Sequence, residues 1–445
     1  MALNQAPRAE DGPGRALTQK FGELGLTREF LRRMTERGDD LRHPLTPTRM
    51  ACLLDDDATV VLRLFFCGVP TDAAQAEAAL GSALFETSRK SGLLIATEDG
   101  LISSPLHLRL VRGLYLFSDY LGSERDAVMG AGETTGLLYQ ASNWNRKTQR
   151  VLDLGCGAGT LAILLGQDAE FAIGTDINER AVALGSFNAS VNGISNVEFR
   201  AGSLFEPVAG ETFDLIGSQP PYYPAPAEEG TSLVYLHGGI RGDELALQII
   251  RDLGTHLDPN GRALIFTSWP VADVKTAPEG MRVLELTTNG REVHGTRQSL
   301  NILEHALPGS ERWSTFEVPA DNWGAVQPWR IDELLVAENF LKGPEQDLLN
   351  STLRLPADTA TLCEGDQRLL SFPESALLGC VPVEDQMWKS LQAVHATSNI
   401  AEALRRGAAF ENVREALRRG WLIPTSESES RIGLQASTGG RHSAG

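Results

Sequence analysis

The chain has 445 residues, 42% apolar and 22% charged, the composition of a soluble globular protein long enough for two or three domains. Its formal charge of -18, from 58 acidic and 40 basic residues, repels phosphate backbones; this argues against a nucleic-acid partner and favours a neutral or cationic one. No apolar run is long enough to span a membrane, residues 1–15 lack the apolar core of a secretory signal, and a cytoplasmic protein is expected.

The five cysteines, Cys52, Cys67, Cys156, Cys363 and Cys380, form no CxxC pair and have no histidine at ligand spacing, so neither a disulfide framework nor a metal site is expected. From residue 15 to about residue 117 apolar residues recur near every 3.6 positions, which predicts helices over 30–35, 48–53, 58–66 and 72–89. Strands over 92–96 and 101–104, split by Glu98-Asp99-Gly100, read as a hairpin whose Asp-Gly turn takes up the positive φ angles. Helices followed by a hairpin is winged-helix-like order. The 72–89 helix sets Asp72, Glu77 and Glu86 against Arg89 and Lys90, a poor phosphate-binding composition, so packing or a substrate-lid role is expected.

The middle of the chain alternates strand and helix: strands over 151–154, 172–175, 197–200, 213–217 and 262–267, helices over 160–165, 178–192 and 244–256. Further strands near 283–287 and 313–318 complete the sheet. This is the pattern of a Rossmann-like, doubly wound α/β sheet, whose ligands bind beyond the carboxyl ends of the strands. Helices over 387–395, 400–406 and 412–419 and a strand over 420–424 follow. The hexapeptide Glu-Ala-Leu-Arg-Arg-Gly occurs at 402–407 and 415–420, too few copies for a solenoid, and marks two amphipathic helices with similar ends. The expected organisation is an N-terminal helical, winged-helix-like domain (1–118), a Rossmann-like domain (119–343), a C-terminal winged-helix-like domain (344–424) and a disordered tail (425–445).

Chemistry concentrates at the strand ends. Val151-Leu152-Asp153-Leu154 leads into Gly155-Cys156-Gly157-Ala158-Gly159, glycines that let backbone approach a ligand at a strand-to-helix turn. Thr160 stands where a dinucleotide fingerprint has its last glycine. Asp176 ends the second strand, placed to accept both hydroxyls of a ribose. Gly202-Ser203-Leu204-Phe205 ends the third.

Over residues 128–268 these motifs resemble the class I S-adenosylmethionine-dependent methyltransferases. The resemblance implies that Gly155, Gly157 and Gly159, with Asp153 behind them, line the methionine part of S-adenosylmethionine. It implies that Asp176 and the adjacent Ile177 take the ribose, that Ser203 and Leu204 lie near the adenine, and that S-adenosylhomocysteine is the product. Family members commonly have Asp where Ser203 stands, which leaves adenine recognition to backbone groups.

Ser218-Gln219-Pro220-Pro221-Tyr222 resembles the Asn-Pro-Pro-Tyr motif of methyltransferases acting on planar nitrogens, among them release-factor glutamine methyltransferases and several adenine- or guanine-modifying enzymes. The side-chain carbonyl of the first residue and the carbonyl of the first proline accept the two N–H bonds of the attacking nitrogen, and the aromatic ring stacks on the flat acceptor. Gln219 is a departure: its extra methylene moves the acceptor oxygen outward by about 1.5 Å, a shift that predicts an acceptor other than a protein glutamine or a nucleic-acid base. Beyond it, Glu228 and Glu229 read either as groups that recognise a cationic acceptor and take its proton or as a solvated loop. His237 reads as a general base or an exposed side chain, Arg241 as a carboxylate clamp or an unrelated cation. Residues 128–135, with Tyr120 and Glu133, either cover the methionine end or form a linker.

The expected function is methyl transfer from S-adenosylmethionine to an amine, amide or guanidine nitrogen of an amino-acid-like small molecule or peptide. Gln219, Pro220, Tyr222, Glu228 and Glu229 are the expected catalytic residues, with Gln219 also beside the cofactor. Two other readings stay open: a methyltransferase for rRNA or tRNA bases or protein glutamine, and a cofactor-binding scaffold without catalysis.

Overall fold

The computed structural model describes residues 7, 9, 12–27, 57–120, 126–142, 148–226, 233–270, 275–293, 296–306, 312–319, 331, 341, 344–355, 360–364, 367–371, 380–397, 399–418 and 421–425. The helices expected over 30–35 and 48–53 lie outside the described residues.

Helix α1 (Arg15–Glu23) buries Leu17 and Phe21 one turn apart. α2 (Asp57–Val61) runs into a π-helical stretch, Leu62–Phe66, that turns Leu62, Leu64 and Phe65 inward. The single helix expected over 72–89 is two, α3 (Ala73–Leu80) and α4 (Ser82–Lys90), broken at Gly81, whose φ of 82° no helix accommodates. Asp72 caps α3 by accepting the amides of Ala74 and Gln75 at 2.9 and 3.2 Å. The hairpin is present as the short strands β1 (Ile95–Ala96) and β2 (Ile102–Ser103). A second hairpin, β3 (Leu106–Val111) and β4 (Leu114–Asp119), replaces the helical reading of that stretch. Its signal was the alternation of Leu106, Leu108 and Leu110 before a turn in which Arg112 and Gly113 both take positive φ, 49° and 89°.

Helix α5 (Glu133–Ser142) precedes β5 (Arg150–Leu154), α6 (Thr160–Gly166), β6 (Phe171–Asp176), α7 (Glu179–Asn192), β7 (Val197–Ala201), β8 (Phe213–Ser218), α8 (Glu244–Asp252) and β9 (Leu257–Pro270). β10 (Met281–Val293), β11 (Thr296–His305) and β12 (Arg312–Pro319) extend the sheet to eight strands in the order β12-β10-β11-β9-β8-β5-β6-β7. β5 to β9 pair in parallel, while β11 lies antiparallel to β9. Valine, leucine and isoleucine fill the central strands, which are covered on both faces.

The elements before the sheet do not keep a core of their own. Leu17, Phe21, Phe65 and Phe117 share one buried cluster with Leu184, Phe187 and Val191 of α7. Phe117 meets Phe65 and Phe187 edge-on, at 5.9 and 5.6 Å between centroids. Two asparagines one turn apart on α7 then serve β4 as a strand would. Asn188 accepts from the Phe117 amide at 2.8 Å and donates to its carbonyl at 2.9 Å, and Asn192 does the same for Tyr115 at 2.9 and 2.8 Å.

Residue contacts divide the chain into two compact units, Met1–Glu285 with Glu292–Trp313, and Leu286–Arg291 with Ser314–Gly445. In the second, α9 (Glu345–Asn350) leads to β13 (Leu353–Arg354), and β14 (Ala360–Glu364), β15 (Gln367–Ser371) and β16 (Cys380–Val383) form an antiparallel sheet. α10 (Asp385–His395), α11 (Ile400–Arg405) and α12 (Phe410–Arg418) follow, and β17 (Ile423–Pro424) pairs with β13. The first copy of the repeated hexapeptide ends α11, with Gly407 at φ 97°. Among the described residues no helix is long and apolar enough to cross a membrane.

Candidate active site

The glycine loop folds onto the second strand. The amides of Gly155 and Cys156 both donate to the carbonyl of Thr175, at 2.8 and 2.9 Å, and Gly157 donates to Asp176 Oδ2 at 2.9 Å. Gly155, Gly157 and Gly159 hold φ of 78°, 51° and 77°, the left-handed region that a side chain would strain. A Cβ at Gly159 would also lie 2.6 Å from the Phe199 ring, whereas one at Gly155 would meet nothing within 4 Å. The loop is therefore packed on its sheet side and open above.

Asp176 uses its second oxygen to accept the Asn178 amide at 2.9 Å. Burial pushes its carboxyl above the ordinary range, and the amides of Asn178, Gly157 and Ile177 oppose that shift. Asp153, 3% exposed, accepts the Ala162 amide at 2.9 Å, which ties β5 to the first turn of α6. Burial raises its carboxyl to about 7; the Ala162 bond works against this and the charge of Asp176 adds to it. Cys156 is buried and its thiol is pushed up by burial, so it is packing and not a nucleophile.

Above the loop lies a cavity of about 700 Å³, the size of a small-molecule site. Every residue expected at the cofactor borders it except Gly159, which sits beneath: Asp153, Gly155, Gly157 and Asp176 on one side, Ile177, Ser203 and Leu204 on another, Gln219 at the far wall. Ile177 is 64% exposed, an apolar side chain left open beside Asp176. Leu204 takes φ 48°, a strained conformation for a branched side chain, and Gly202 donates to the Asp176 carbonyl at 3.0 Å. Thr160 and Thr175, 4% and 1% exposed, also line the cavity, and among the described residues their hydroxyls have no hydrogen-bond partner. An open glycine cradle and a carboxylate at the end of the second strand fit S-adenosylmethionine.

The Pro-Pro-Tyr turn forms the opposite wall. Ser218 is fully buried and donates to the Leu154 carbonyl at 2.7 Å, pinning the end of β8 to β5. Gln219, Pro220, Pro221, Tyr222 and Tyr223 all border the cavity. Tyr222 stacks on Tyr223 with ring centroids 5.2 Å apart, meets Phe266 edge-on at 6.1 Å, and its hydroxyl accepts from Gln298 at 3.5 Å. Burial raises its phenol above the ordinary value.

The loop that carries His237 completes this wall. Tyr223 donates to the Leu236 carbonyl and accepts from Gly238, both at 3.0 Å, and Ala225 donates to Gly239 at 2.7 Å. Val234, Leu236 and His237 border the cavity, and His237 Nδ1 accepts the Leu233 amide at 2.8 Å, which makes it a brace of the loop. Glu228 and Glu229 lie outside the described residues. Arg241 is not an acceptor clamp: it forms a bidentate pair with the buried Asp243, at 3.1 and 2.8 Å. Residues 127–130, with Gly132 and Thr135, line the cofactor side, so the stretch before α5 is a cavity wall and not a linker. Tyr120 stacks on His107 at 5.2 Å and Glu133 begins α5; neither borders the cavity.

A sheet whose parallel strands carry a glycine loop after β5 and an acid at the end of β6, together with the family match that follows, is that of a class I methyltransferase domain, with S-adenosylmethionine as methyl donor. Residues 145–294 match the family model described as "Methyltransferase domain". A release factor glutamine methyltransferase from Aliivibrio fischeri is 46% identical over 77 residues, 17% of this chain and 27% of that protein. A ribosomal protein uL3 glutamine methyltransferase from Bradyrhizobium diazoefficiens is 30% identical over 169 residues, 34% of this chain and 52% of that protein. The chain thus spans about a quarter to about half of these relatives. Among solved structures, a ribosomal protein L11 methylase from Lactobacillus delbrueckii subsp. bulgaricus aligns at TM-score 0.30 and 20% identity, over 45% of this chain and all of that one. Both sequence relatives are named for protein glutamine, which overturns the expectation of a small-molecule acceptor. That expectation leaned on the charge of -18, on the extra methylene of Gln219 and on the acidic pair Glu228-Glu229; a mean field carries no information about what one turn recognises, and one methylene in a flexible side chain does not exclude a glutamine acceptor.

Proposed function

We propose that the chain is an S-adenosylmethionine-dependent enzyme that methylates the side-chain amide nitrogen of a glutamine in a protein. The observation that carries this reading is that Gln219, Pro220 and Tyr222 wall the same cavity as the glycine loop and Asp176. Bound S-adenosylmethionine supplies an electrophilic sulfonium methyl. The chain's own part is placement. An amide nitrogen shares its lone pair with its carbonyl, so it attacks only when both N–H bonds are held and its π face is presented. In this reading the Gln219 carboxamide and the Pro220 carbonyl accept those two bonds, and Tyr222, braced by Tyr223 and Phe266, stacks on the amide plane. A carbon–nitrogen bond forms as the carbon–sulfur bond breaks, S-adenosylhomocysteine leaves, and the nitrogen releases its proton to water. Positioning of this kind supplies about 7–11 kcal/mol in favourable intramolecular reactions. The longer side chain at Gln219 has one more torsion than asparagine, which lets its carbonyl fold back to the same place.

The test is transfer of a radiolabelled methyl group from S-adenosylmethionine to separated protein, RNA and metabolite fractions. Label is expected in protein, released as methylamine on acid hydrolysis of the amide. Label confined to RNA or to metabolites refutes the reading.

A further inference from the structure

One wall of the cofactor cavity comes from outside the parallel sheet. It is the stretch from Ala127 to Gly132, which follows the hairpin strand β4. Two sets of bonds fix it. From the hairpin, Asp119 Oδ2 accepts the Val128 amide at 2.6 Å, the Asp119 amide donates to the Val128 carbonyl at 3.1 Å, and Arg109 donates to the Ala131 carbonyl at 3.0 Å. From the sheet, the Asn178 side chain donates to the Asp126 carbonyl at 2.9 Å, and Ala158 of the glycine loop donates to the Met129 carbonyl at 3.4 Å.

Asp119 joins the two sets. Both its oxygens pair with the guanidinium of Arg180, and the two side chains are each 10% exposed. Arg180 lies on the first turn of α7, two residues past Asn178, whose amide is held by Asp176. A carboxylate that caps a cavity-wall amide and also grips the helix beginning beside the ribose acid does more than hold two elements together. It fixes the distance between the two sides of a ligand site, in a setting largely shielded from solvent.

We propose that Asp119 is a positioning residue for the cofactor, holding the 127–132 wall in register with Asp176 through Val128 and Arg180. This does not depend on which acceptor the enzyme uses, because cofactor binding reports it directly.

The experiment is calorimetric titration of the full chain with S-adenosylhomocysteine, with thermal unfolding alongside, for the parent, Asp119→Ala, Asp119→Asn and the control Asp214→Ala. Asp214 also caps two backbone amides, Gln149 and Arg150, each at 2.8 Å, but near the start of β8, at the end of the strand away from the cavity. Asp119→Ala is expected to weaken binding about tenfold, the loss of one charge-assisted hydrogen bond. Asp119→Asn keeps an acceptor for Val128 and falls between it and the parent. Asp214→Ala is expected to lower the unfolding temperature and leave the dissociation constant within about twofold. In turnover, the KM for S-adenosylmethionine rises while kcat at saturation holds. If Asp119→Ala does not fold, Asp119→Asn decides. Binding within about twofold of the parent for the Asp119 variants, or an equal loss in Asp214→Ala, overturns the proposal.

Discussion

Asp176 accepts the Gly157 amide at 2.9 Å, so the acid that ends the second strand and the middle glycine of the cofactor loop are one hydrogen-bonded unit. Removing the acid therefore costs the ligand twice, through lost contacts and through a loosened loop. Asp176→Ala is expected to weaken S-adenosylmethionine binding by about 1–3 kcal/mol. Titration calorimetry measures this directly, and unchanged affinity would remove Asp176 from the site.

At the opposite wall, Gln219→Ala should lower kcat about 100-fold, the cost of misplacing an attacking group by about an ångström. Gln219→Asn, which restores the more common side chain of this motif, should keep more of the rate than alanine does. Single-turnover transfer with excess enzyme separates this from cofactor affinity. A Gln219→Ala enzyme with the parent's rate would sink the acceptor assignment.

The loop behind Tyr222 makes a steric prediction. A Cβ at Gly238 would lie inside 3.0 Å of the carbonyls of both Pro221 and Gly242. Gly238→Ala is expected to destabilise the fold by about 1–3 kcal/mol and to slow transfer, because the Pro-Pro-Tyr turn must move. Gly22→Ala, on α1 with nothing within 4 Å, is the control and should stabilise by about 0.5–1 kcal/mol. Urea denaturation midpoints decide, and equal behaviour of the two variants would refute the close packing.

Stability should depend on pH through Asp153. Its carboxyl titrates near 3.8 in an unfolded chain and near about 7 when buried, so between those values the native state keeps a proton the unfolded state has lost. A native state that binds more protons loses relative stability as pH rises, so this contribution declines from about pH 4 to about pH 7, by a few kcal/mol in all. Asp153→Asn cannot ionise and should flatten that part of the curve. Thermal unfolding of both proteins across this range tests it; parallel curves would show that Asp153 is ionised in the fold.

How much of this was legible in the sequence follows from how local each feature is. Asp153 to Gly157, Asp176 and Gln219 to Tyr222 are short runs whose chemistry lies in consecutive residues, and all border the cavity, with Gly159 packed on Phe199 beneath it. His237 and Leu236 join the wall only through backbone bonds to Tyr223 from a distant loop, which no periodicity announces. β11 escaped notice because Ser299 and Asn301, both fully buried, interrupt its apolar run. Their polarity is satisfied by Glu285 and Trp269, at 2.7 and 3.1 Å, partners visible only once the strands are assembled. Asp119 gave no signal for the same reason: Arg180, its partner, lies 61 residues away.

The core shared by α7 and the N-terminal elements separates two meanings of a domain boundary. The stretch recognisable as a methyltransferase, 145–294, is a unit of resemblance, yet Leu184, Phe187 and Val191 within it are covered by Leu17, Phe21, Phe65 and Phe117, which precede it. A fragment trimmed to the recognisable stretch would carry that stripe bare to solvent, with Asn188 and Asn192 deprived of the strand they hold. The smallest piece expected to fold on its own therefore reaches back to α1, and the catalytic cassette is not expected to be portable without it.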